Sequence, residues 1–443
     1  PATSSAASDV YKRQAIVISP DTITKFLPIQ QKGSNAEIVT QYEMHTVEQL
    51  GLLKMDFLGL RNLSIVDRTL ELIGSESLDI DNLKLDDEKT FKLFAEGKMT
   101  GVFQLESRVA QSTSRSLKPK RFEDIVALVA LIRPGPLGAG MHNEFADRAN
   151  NRKEIEYLHN DLESILNETY GVILYQEQVM QIAEKIAGFN LQEADNLRVA
   201  MGKKIPKVME EQRKKFTDGA VSNNYSEQFA IELFDQIAYF AGYGFNKSHS
   251  VPYALLAYQT AYLKANYPAE YIAACLTAVK RDKDRTAIFL SEARDMGVKV
   301  STPDINLSSS DFTVNDNEIL FGLSAVRNVG DITADKIVLE RESNGHFESI
   351  EDFLSRIDSR SLNKRGVEAL IQGGGLDKFG LTRKGMFDSA IELIENAKEL
   401  KANKENNQGS LFEVEDSNST HININNTEWD KKELLERERE MLG

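Results

Sequence analysis

The run LLKMDFLGLRN, residues 52–62, sets a single carboxylate, Asp56, in apolar surroundings with one base, Lys54, two residues before it. Burying a carboxylate without a partner costs several kcal/mol, so Asp56 calls for a cation, a set of hydrogen-bond donors or an exposed strand end. Read as a strand, the run alternates: Leu53, Met55 and Phe57 fall on one face, Lys54, Asp56 and Leu58 on the other. The acid and the base then share a polar notch on an otherwise core-forming strand. Two chemistries fit. Asp56 is either a structural acid, paired to Lys54 or capping the turn at Gly59, or a metal carboxylate beside a phosphate-neutralising lysine.

A second constellation is FAGYGFNKSHSVPYALL, residues 240–256. Glycines and aromatic residues run through Asn246, Lys247, Ser248 and His249 into a helix start, where free N–H groups and the helix dipole favour a phosphate. Tyr243 or Phe245 could stack on a base or sugar. An ordinary glycine-rich turn capped by Ser248 or Ser250 reads equally well. In NLRVAMGKKIPK, Arg198, Lys203 and Lys204 gather around a helix end, either as partners of its dipole or, with the first motif, as a triphosphate site facing the Asp56 notch. ALIRPGPLG fixes Arg133 before a rigid Pro-Gly-Pro turn, which aims the guanidinium or is a plain loop.

Two shorter patterns concern macromolecules. RNVGDI has the helix-hairpin-helix form, in which Val329 and Gly330 let backbone N–H groups approach a DNA phosphate without reading sequence. A generic helical turn fits as well. QGSLF offers Leu411 and Phe412 in a polar stretch with no core to join, so they are incidental or they plug a partner's pocket with Gln408 alongside. Asp79 and Asp81 have D-x-D spacing but sit in an acidic loop, and they read as a solvated face. The scattered histidines disfavour a zinc site.

The elements that would position these groups follow from periodicity. Residues 15–62 alternate like strands, as in AIVISP and EIVTQYEM, and read as part of a mixed sheet. From SIVDRTLELIG onward the period is helical, with Ile65, Leu70 and Ile73 on one face and Gly74 as the stop. QEQVMQIAEKIAGFN and SVPYALLAYQTAYLKANYP are clear helices; the second carries Pro252 near its first turn and stops before Pro268. Residues 301–325 return to short strands. After them come helix, glycine turn and helix in LSAVRNVGDITADKIVLER, with a looser copy around LNKRGVEALIQGGGLDKFG. Residues 400–427 are polar and read as a linker. The final WDKKELLEREREMLG is a charged helix that stops abruptly, as if the chain had been cut.

With 443 residues, the chain has room for two to four domains. One cysteine, Cys275, in an apolar helix rules out a disulfide framework and favours a reducing cytoplasm. No apolar stretch approaches the roughly 18 residues of a membrane span, so a soluble, cytoplasmic protein is expected. Residues 1–14 lack the apolar centre of a signal peptide and read as a disordered tail or a foreign join. A net charge of −15 argues against indiscriminate nucleic-acid binding. The stretch from about 101 to 265 is nearly neutral, however, with bases bunched at SLKPKR, MGKKIPK and EQRKKF, which leaves room for a locally basic groove.

With LLKMDFLGLRNL, GVFQLES, LVALIRPGP, YGVILYQEQVM, AMGKK and FAGYGFNKSHS in one order, residues 15–443 resemble the alpha subunit family of bacterial DNA polymerase III, the C-family replicative polymerases. The resemblance implies an α+β, predominantly α-helical fold with a partial palm sheet, helical fingers and a tandem helix-hairpin-helix region. Its implied divisions are the end of the palm (15–62), the fingers (63–300), the helix-hairpin-helix and clamp-binding domain (301–399), a linker with a clamp-binding motif (400–427) and the start of a connection to an OB domain (428–443). By resemblance, Asp56 matches a catalytic carboxylate that helps hold two Mg2+ ions, with Lys54 beside it. Arg198, Lys203, Lys204, and Tyr243 to His249 match the nucleotide pocket, and Gln408, Ser410, Leu411 and Phe412 the clamp-binding motif. The implied partners are primer-template DNA, deoxynucleoside triphosphates, the sliding clamp and other replicase subunits. Upstream of Asp56 the family carries a D-x-D pair and a serine- and glycine-rich phosphate loop that this sequence lacks, and where the family usually has a second base beside Arg198 this chain has Val199. The chain is therefore expected to be an internal fragment, catalytically incomplete alone.

Overall fold

The computed structural model of the protein describes residues 15–31, 38–56, 60–74, 78–203, 206–241, 244–358, 361–407 and 424–443, apart from the side chains of residues 56, 202, 203, 206, 241 and 400–407. Residues 1–14, Lys204, Tyr243, Gln408, Ser410, Leu411 and Phe412 lie outside the described residues. The chain divides into two units, Pro1–Leu63 and Ser64–Gly443.

In the first unit, β1 (Ala15–Ile18) pairs antiparallel with β4 (Leu53–Asp56), with Ala15 opposite Asp56 and Ile16 opposite Met55. A separate antiparallel pair joins β2 (Ile29–Gln31) to β3 (Ile38–Thr40). The expected mixed sheet is thus two ribbons of two strands each. Between β3 and β4 in sequence lies a short helix, Met44–Gln49, whose first N–H groups are capped by the Glu43 carboxylate. A small core of Leu27, Val47 and Leu52 holds the unit.

The core-forming face expected for β4 is not found. Leu53 and Met55 are 58% and 43% exposed, beside exposed Ile16 and Ile18 on β1. Alternation sets which residues share a face; a second layer decides whether that face is buried, and no such layer covers this one among the described residues.

The second unit is helical, as expected. Arg61–Ile73 buries Ile65 and Val66 and stops at Gly74, where φ is +96°. Gln176–Ala187 buries Val179, Ile182, Ala183 and Ile186 and ends on left-handed Gly188. Lys247–Asn266 is the spine of the unit, and Pro268–Val279 follows it directly. Pro252 lies in the second turn rather than the first, where it removes one N–H donor from the helix ladder.

Three apolar clusters fill the unit. One gathers around Phe94, Leu128 and Tyr258, a second around Ile182, Phe216 and Phe234. The third runs from Cys275 and Phe289 to Val367 and Leu393. Its strands form a three-stranded sheet of order β5-β7-β6, with β5 (Lys299–Ser301) parallel and β6 (Thr313–Asn315) antiparallel to β7 (Glu318–Leu320).

The first helix-turn-helix departs from expectation. Before the glycine turn the chain makes only a 3₁₀ turn, Leu323–Ala325, and the α-helix after it is Asp331–Asn344. The looser copy has helices Ile350–Arg356 and Lys364–Gln372. The terminal helix, Lys431–Leu442, packs back on this region: Arg327 N–H donates to Met441 O, and Arg327 pairs with Glu440 at 2.8 Å. Among the described residues, no helix is long and apolar enough to cross a membrane.

Candidate nucleotide and phosphate sites

The segment around Phe245 is fixed by backbone pairing. Gln176 N–H donates to Phe245 O at 2.9 Å and Phe245 N–H to Leu174 O at 3.2 Å. The helix that follows is capped by Asn246, whose side chain accepts from His249 N–H at 2.9 Å. Neither Ser248 nor Ser250 is the cap. Ser250 is buried and donates to Val126 O, while Ser248 is exposed. Asparagine wins because it directly precedes the first helical residue, in extended backbone from which its side chain reaches the third N–H.

The anion expected at this helix start is supplied by the protein. Lys247 N–H donates to both carboxylate oxygens of Glu177, each at 3.0 Å. The Lys247 ammonium pairs with Glu168 at 2.7 Å and sits 5.6 Å from the centre of the Tyr175 ring. Tyr175 is buried, its hydroxyl has no hydrogen-bond partner among the described residues, and burial pushes its pKa up. Neither glutamate was legible as a site residue in the sequence. The one available signal was that Glu177 opens a helix of its own, where acids are common.

Arg133 differs. It is exposed, its guanidinium stacks 4.6 Å from the centre of the Phe245 ring, and it has no carboxylate partner among the described residues. Phe245 continues to exposed His249 at 5.6 Å, His249 to Tyr253 at 4.4 Å, and Tyr253 to buried Phe103 at 5.5 Å. The result is an aromatic strip with a free cation at one end. Such a strip can hold a phosphate by charge and a sugar or base by stacking.

Arg198 is half-buried on the Leu191–Lys203 helix and donates from Nε to Asp195 at 2.8 Å. Lys203 ends that helix, and its side chain is outside the described residues. In the first unit, Lys54 is half-buried on β4, and Asp56 ends that strand with its side chain likewise undescribed.

Three described carboxylates of the first unit have partners of their own. Asp21 is held by Lys25 and Thr22 N–H, Glu43 by His45 and Thr46 N–H, and Glu48 lies 3.9 Å from His45. Among the described residues, no group of three or more His, Cys, Asp or Glu side chains could hold a metal ion. Asp56 supplies hard oxygen donors of the right kind for magnesium. One carboxylate does not make a two-metal centre, so the described residues do not fit a complete site.

The first hairpin presents a different surface. Val329 is buried and its N–H bonds to Val326 O, so of the two residues expected to face phosphate only Gly330 is exposed. The N–H groups of Asn328 and Gly330 have no acceptor among the described residues. Both line a cleft of about 260 Å³ that also includes Lys280, Arg281, Lys283 and Arg327. Asp331, the first helical residue, pairs with both Lys280 and Arg281, and the hydrogen bond from Lys280 holds its carboxyl below the usual range. Asn328 stands at φ +64°, a left-handed conformation that asparagine tolerates.

Comparison with known proteins gives three family matches. Residues 62–224 match the bacterial DNA polymerase III alpha subunit finger domain, residues 297–386 a helix-hairpin-helix motif, and residues 13–59 the bacterial DNA polymerase III alpha NTPase domain. Among curated relatives, the DNA polymerase III subunit alpha of Mycobacterium leprae is 42% identical over 439 residues, covering 97% of this chain and 37% of that protein. That of Thermus aquaticus is 43% identical over 435 residues, covering 97% of this chain and 35% of the relative. That of Vibrio cholerae is 42% identical over 444 residues, covering 97% and 38%. The chain thus spans a little over a third of the length of the relatives it matches.

Proposed function

The chain belongs to the bacterial DNA polymerase III alpha subunit family, and from that premise we propose that it forms the nucleotide-holding and DNA-gripping parts of a template-directed DNA polymerase. Residues 15–62 correspond to the end of a palm, 63–300 to fingers and 301–399 to the helix-hairpin-helix region. The observation that carries the nucleotide site is the free, exposed guanidinium of Arg133 stacked on Phe245 beside His249. Arg133 binds the triphosphate. Arg198, Lys203, Lys204 and Lys247 add positive charge, while Tyr243, Asn246, Ser248 and His249 line the pocket. For Lys247 to bind phosphate it must exchange its bond to Glu168.

In this reading Asp56 is one of the palm carboxylates and Lys54 a neighbouring base. Bound Mg2+ would supply activation of the primer hydroxyl and neutralisation of the leaving pyrophosphate. Gly330, with the backbone around Val329, grips the DNA phosphates. Gln408, Ser410, Leu411 and Phe412 engage a sliding clamp, and other replicase subunits complete the assembly in the cytoplasm. With Asp56 the one palm carboxylate that this sequence matches, the 443-residue protein alone does not extend a primer.

The test is binding of a labelled deoxynucleoside triphosphate to this protein, with and without magnesium. Saturable binding weakened by Arg133→Ala supports the polymerase pocket. Incorporation of a nucleotide on primed DNA would refute the claim of inactivity, and a Phe412→Glu protein that still captures the clamp would sink the clamp motif. A second reading, a non-enzymatic module that binds DNA and the clamp, draws support from the internal pairing of Lys247 and Lys280. DNA binding without nucleotide binding would favour it.

A further inference from the structure

Lys280, Arg281, Lys283 and Arg327 line the cleft at the first hairpin, and each meets an acceptor from elsewhere in the chain. Lys280 and Arg281 share Asp331, and Lys280 also pairs with Asp311 at 2.6 Å. The other two are held by one residue of the terminal helix. The Glu440 carboxylate lies 2.8 Å from the Arg327 guanidinium, and the Glu440 carbonyl accepts from the Lys283 ammonium at 3.1 Å. Met441, Leu442 and Gly443, which follow it, line the same cleft as Asn328 and Gly330. An acid of the terminal helix thus stands among the groups assigned above to gripping a DNA phosphate.

The pairs in this cleft differ in how easily they open. The Lys280 side chain is 17% exposed and tied to Asp311, Asp331 and the Ser324 hydroxyl. Those of Arg327 and Glu440 are 47% and 59% exposed, and an ion pair so open to water contributes little to stability. The helix that carries Glu440 is held by other means. Buried Arg383 donates to Glu438 at 2.8 Å, the Arg437 guanidinium lies 4.2 Å from the centre of the Trp429 ring, and Met441 is buried in the third apolar cluster. Arg327 N–H donates to Met441 O through the backbone alone. The helix therefore stays docked without the Arg327–Glu440 pair, and that pair can exchange.

We propose that Arg327 is a phosphate-binding cation of the hairpin and that Glu440 occupies the phosphate's place on it until a duplex exchanges the carboxylate for its backbone. The terminal helix then sets how tightly the hairpin holds DNA. This rests on the reading of the Gly330 turn as a DNA grip. A guanidinium takes a carboxylate or a phosphate through the same planar fork, so one anion can replace the other. The N–H groups of Asn328 and Gly330, with no acceptor among the described residues, supply neutral donors beside it. The residues lining the cleft include no aromatic ring on which a base could stack, which favours a sugar-phosphate backbone over a free nucleotide.

The test measures binding of a fluorescein-labelled DNA duplex to the 443-residue protein by anisotropy, over a series of potassium chloride concentrations. Glu440→Gln keeps the shape of the side chain and removes its charge. It binds the duplex about threefold more tightly, as expected when an exposed ion pair no longer competes. The slope of log affinity against log salt steepens by about 0.9, and the urea midpoint is unchanged. Arg327→Ala costs more affinity in the Glu440→Gln protein than in the unaltered one. Glu436→Gln, which neutralises an exposed acid of the same helix outside the cleft, is the control for charge at large. No gain from Glu440→Gln, an equal gain from Glu436→Gln, an equal cost of Arg327→Ala in both proteins, or a lowered urea midpoint overturns the proposal. If Gly330→Ala weakens duplex binding and Glu440→Gln does not strengthen it, the grip stands and the role of Glu440 falls. If neither Gly330→Ala nor Arg327→Ala alters binding, or the unaltered protein binds no duplex, both fall.

Discussion

At the start of the Lys247–Asn266 helix the first N–H already carries a carboxylate from elsewhere in the chain, Glu177, and Lys247 is paired with Glu168. At the start of the Asp331–Asn344 helix the acid is the helix's own first residue, and it is turned onto Lys280 and Arg281. Both starts follow a glycine-bearing turn with bases close by, and in sequence both read as phosphate sites. In each the nearby lysine is offset by an internal carboxylate. What stays available differs: beside the first, the Arg133 guanidinium on its aromatic strip; at the second, backbone N–H groups at Asn328 and Gly330 in a basic cleft. The first arrangement suits a small ligand held by charge and stacking, the second a backbone phosphate approached by N–H groups.

The comparison breaks most readily at Glu177. Glu177→Ala removes the acceptor of the Lys247 N–H and loosens the Phe245 segment, at a cost of about 2 kcal/mol in a urea melt, since hydrogen bonds to charged groups lie in that range. An unaltered midpoint would mean that this helix start is not filled from within. Asn246→Ala removes the cap and should cost about 1 kcal/mol by the same measurement. A larger loss would assign Asn246 more than capping.

Acid separates the second region from the first. The Asp331 carboxyl is held below its ordinary value of 3.8, so the stability that it contributes is present above pH 3.8 and disappears as pH falls through the lowered value of the folded state. The difference in urea midpoint between the unaltered protein and Asp331→Asn should be visible at pH 7 and shrink below pH 4. A difference that persists to lower pH would rule out charge as its source.

The smallest effect on stability is expected at Gly330. An added Cβ meets nothing within 4 Å and the φ of −86° suits any residue, so Gly330→Ala should leave stability within about 0.5 kcal/mol. The methyl group would stand where a DNA phosphate approaches. A severalfold loss of duplex affinity at unchanged stability locates the grip at this turn, and unchanged affinity moves it elsewhere.

Much of the helical unit was legible in advance. The stripe of Val179, Ile182, Ala183 and Ile186 fixed one helix and its buried face, and Gly74 and Gly188 marked where helices stop, because a left-handed residue ends the ladder wherever it falls. The site was legible in part. Arg133, Phe245 and His249 could be named from their motifs, but their stacking could not. The buried face assigned to β4 was wrong because alternation sorts side chains into two faces without saying which one meets a second layer.

Local patterns by themselves determined the helices, their stops and the membership that the ordered motifs carry, since each depends on residues a few positions apart. The tertiary structure alone decided which cations remain free. Glu177 and Glu168 reach Lys247 across 70 and 79 residues of chain, and Lys264 holds a loop more than 160 residues before it. A charge is neutralised by whatever folding brings within a few ångströms, and separation along the chain has no bearing on that distance.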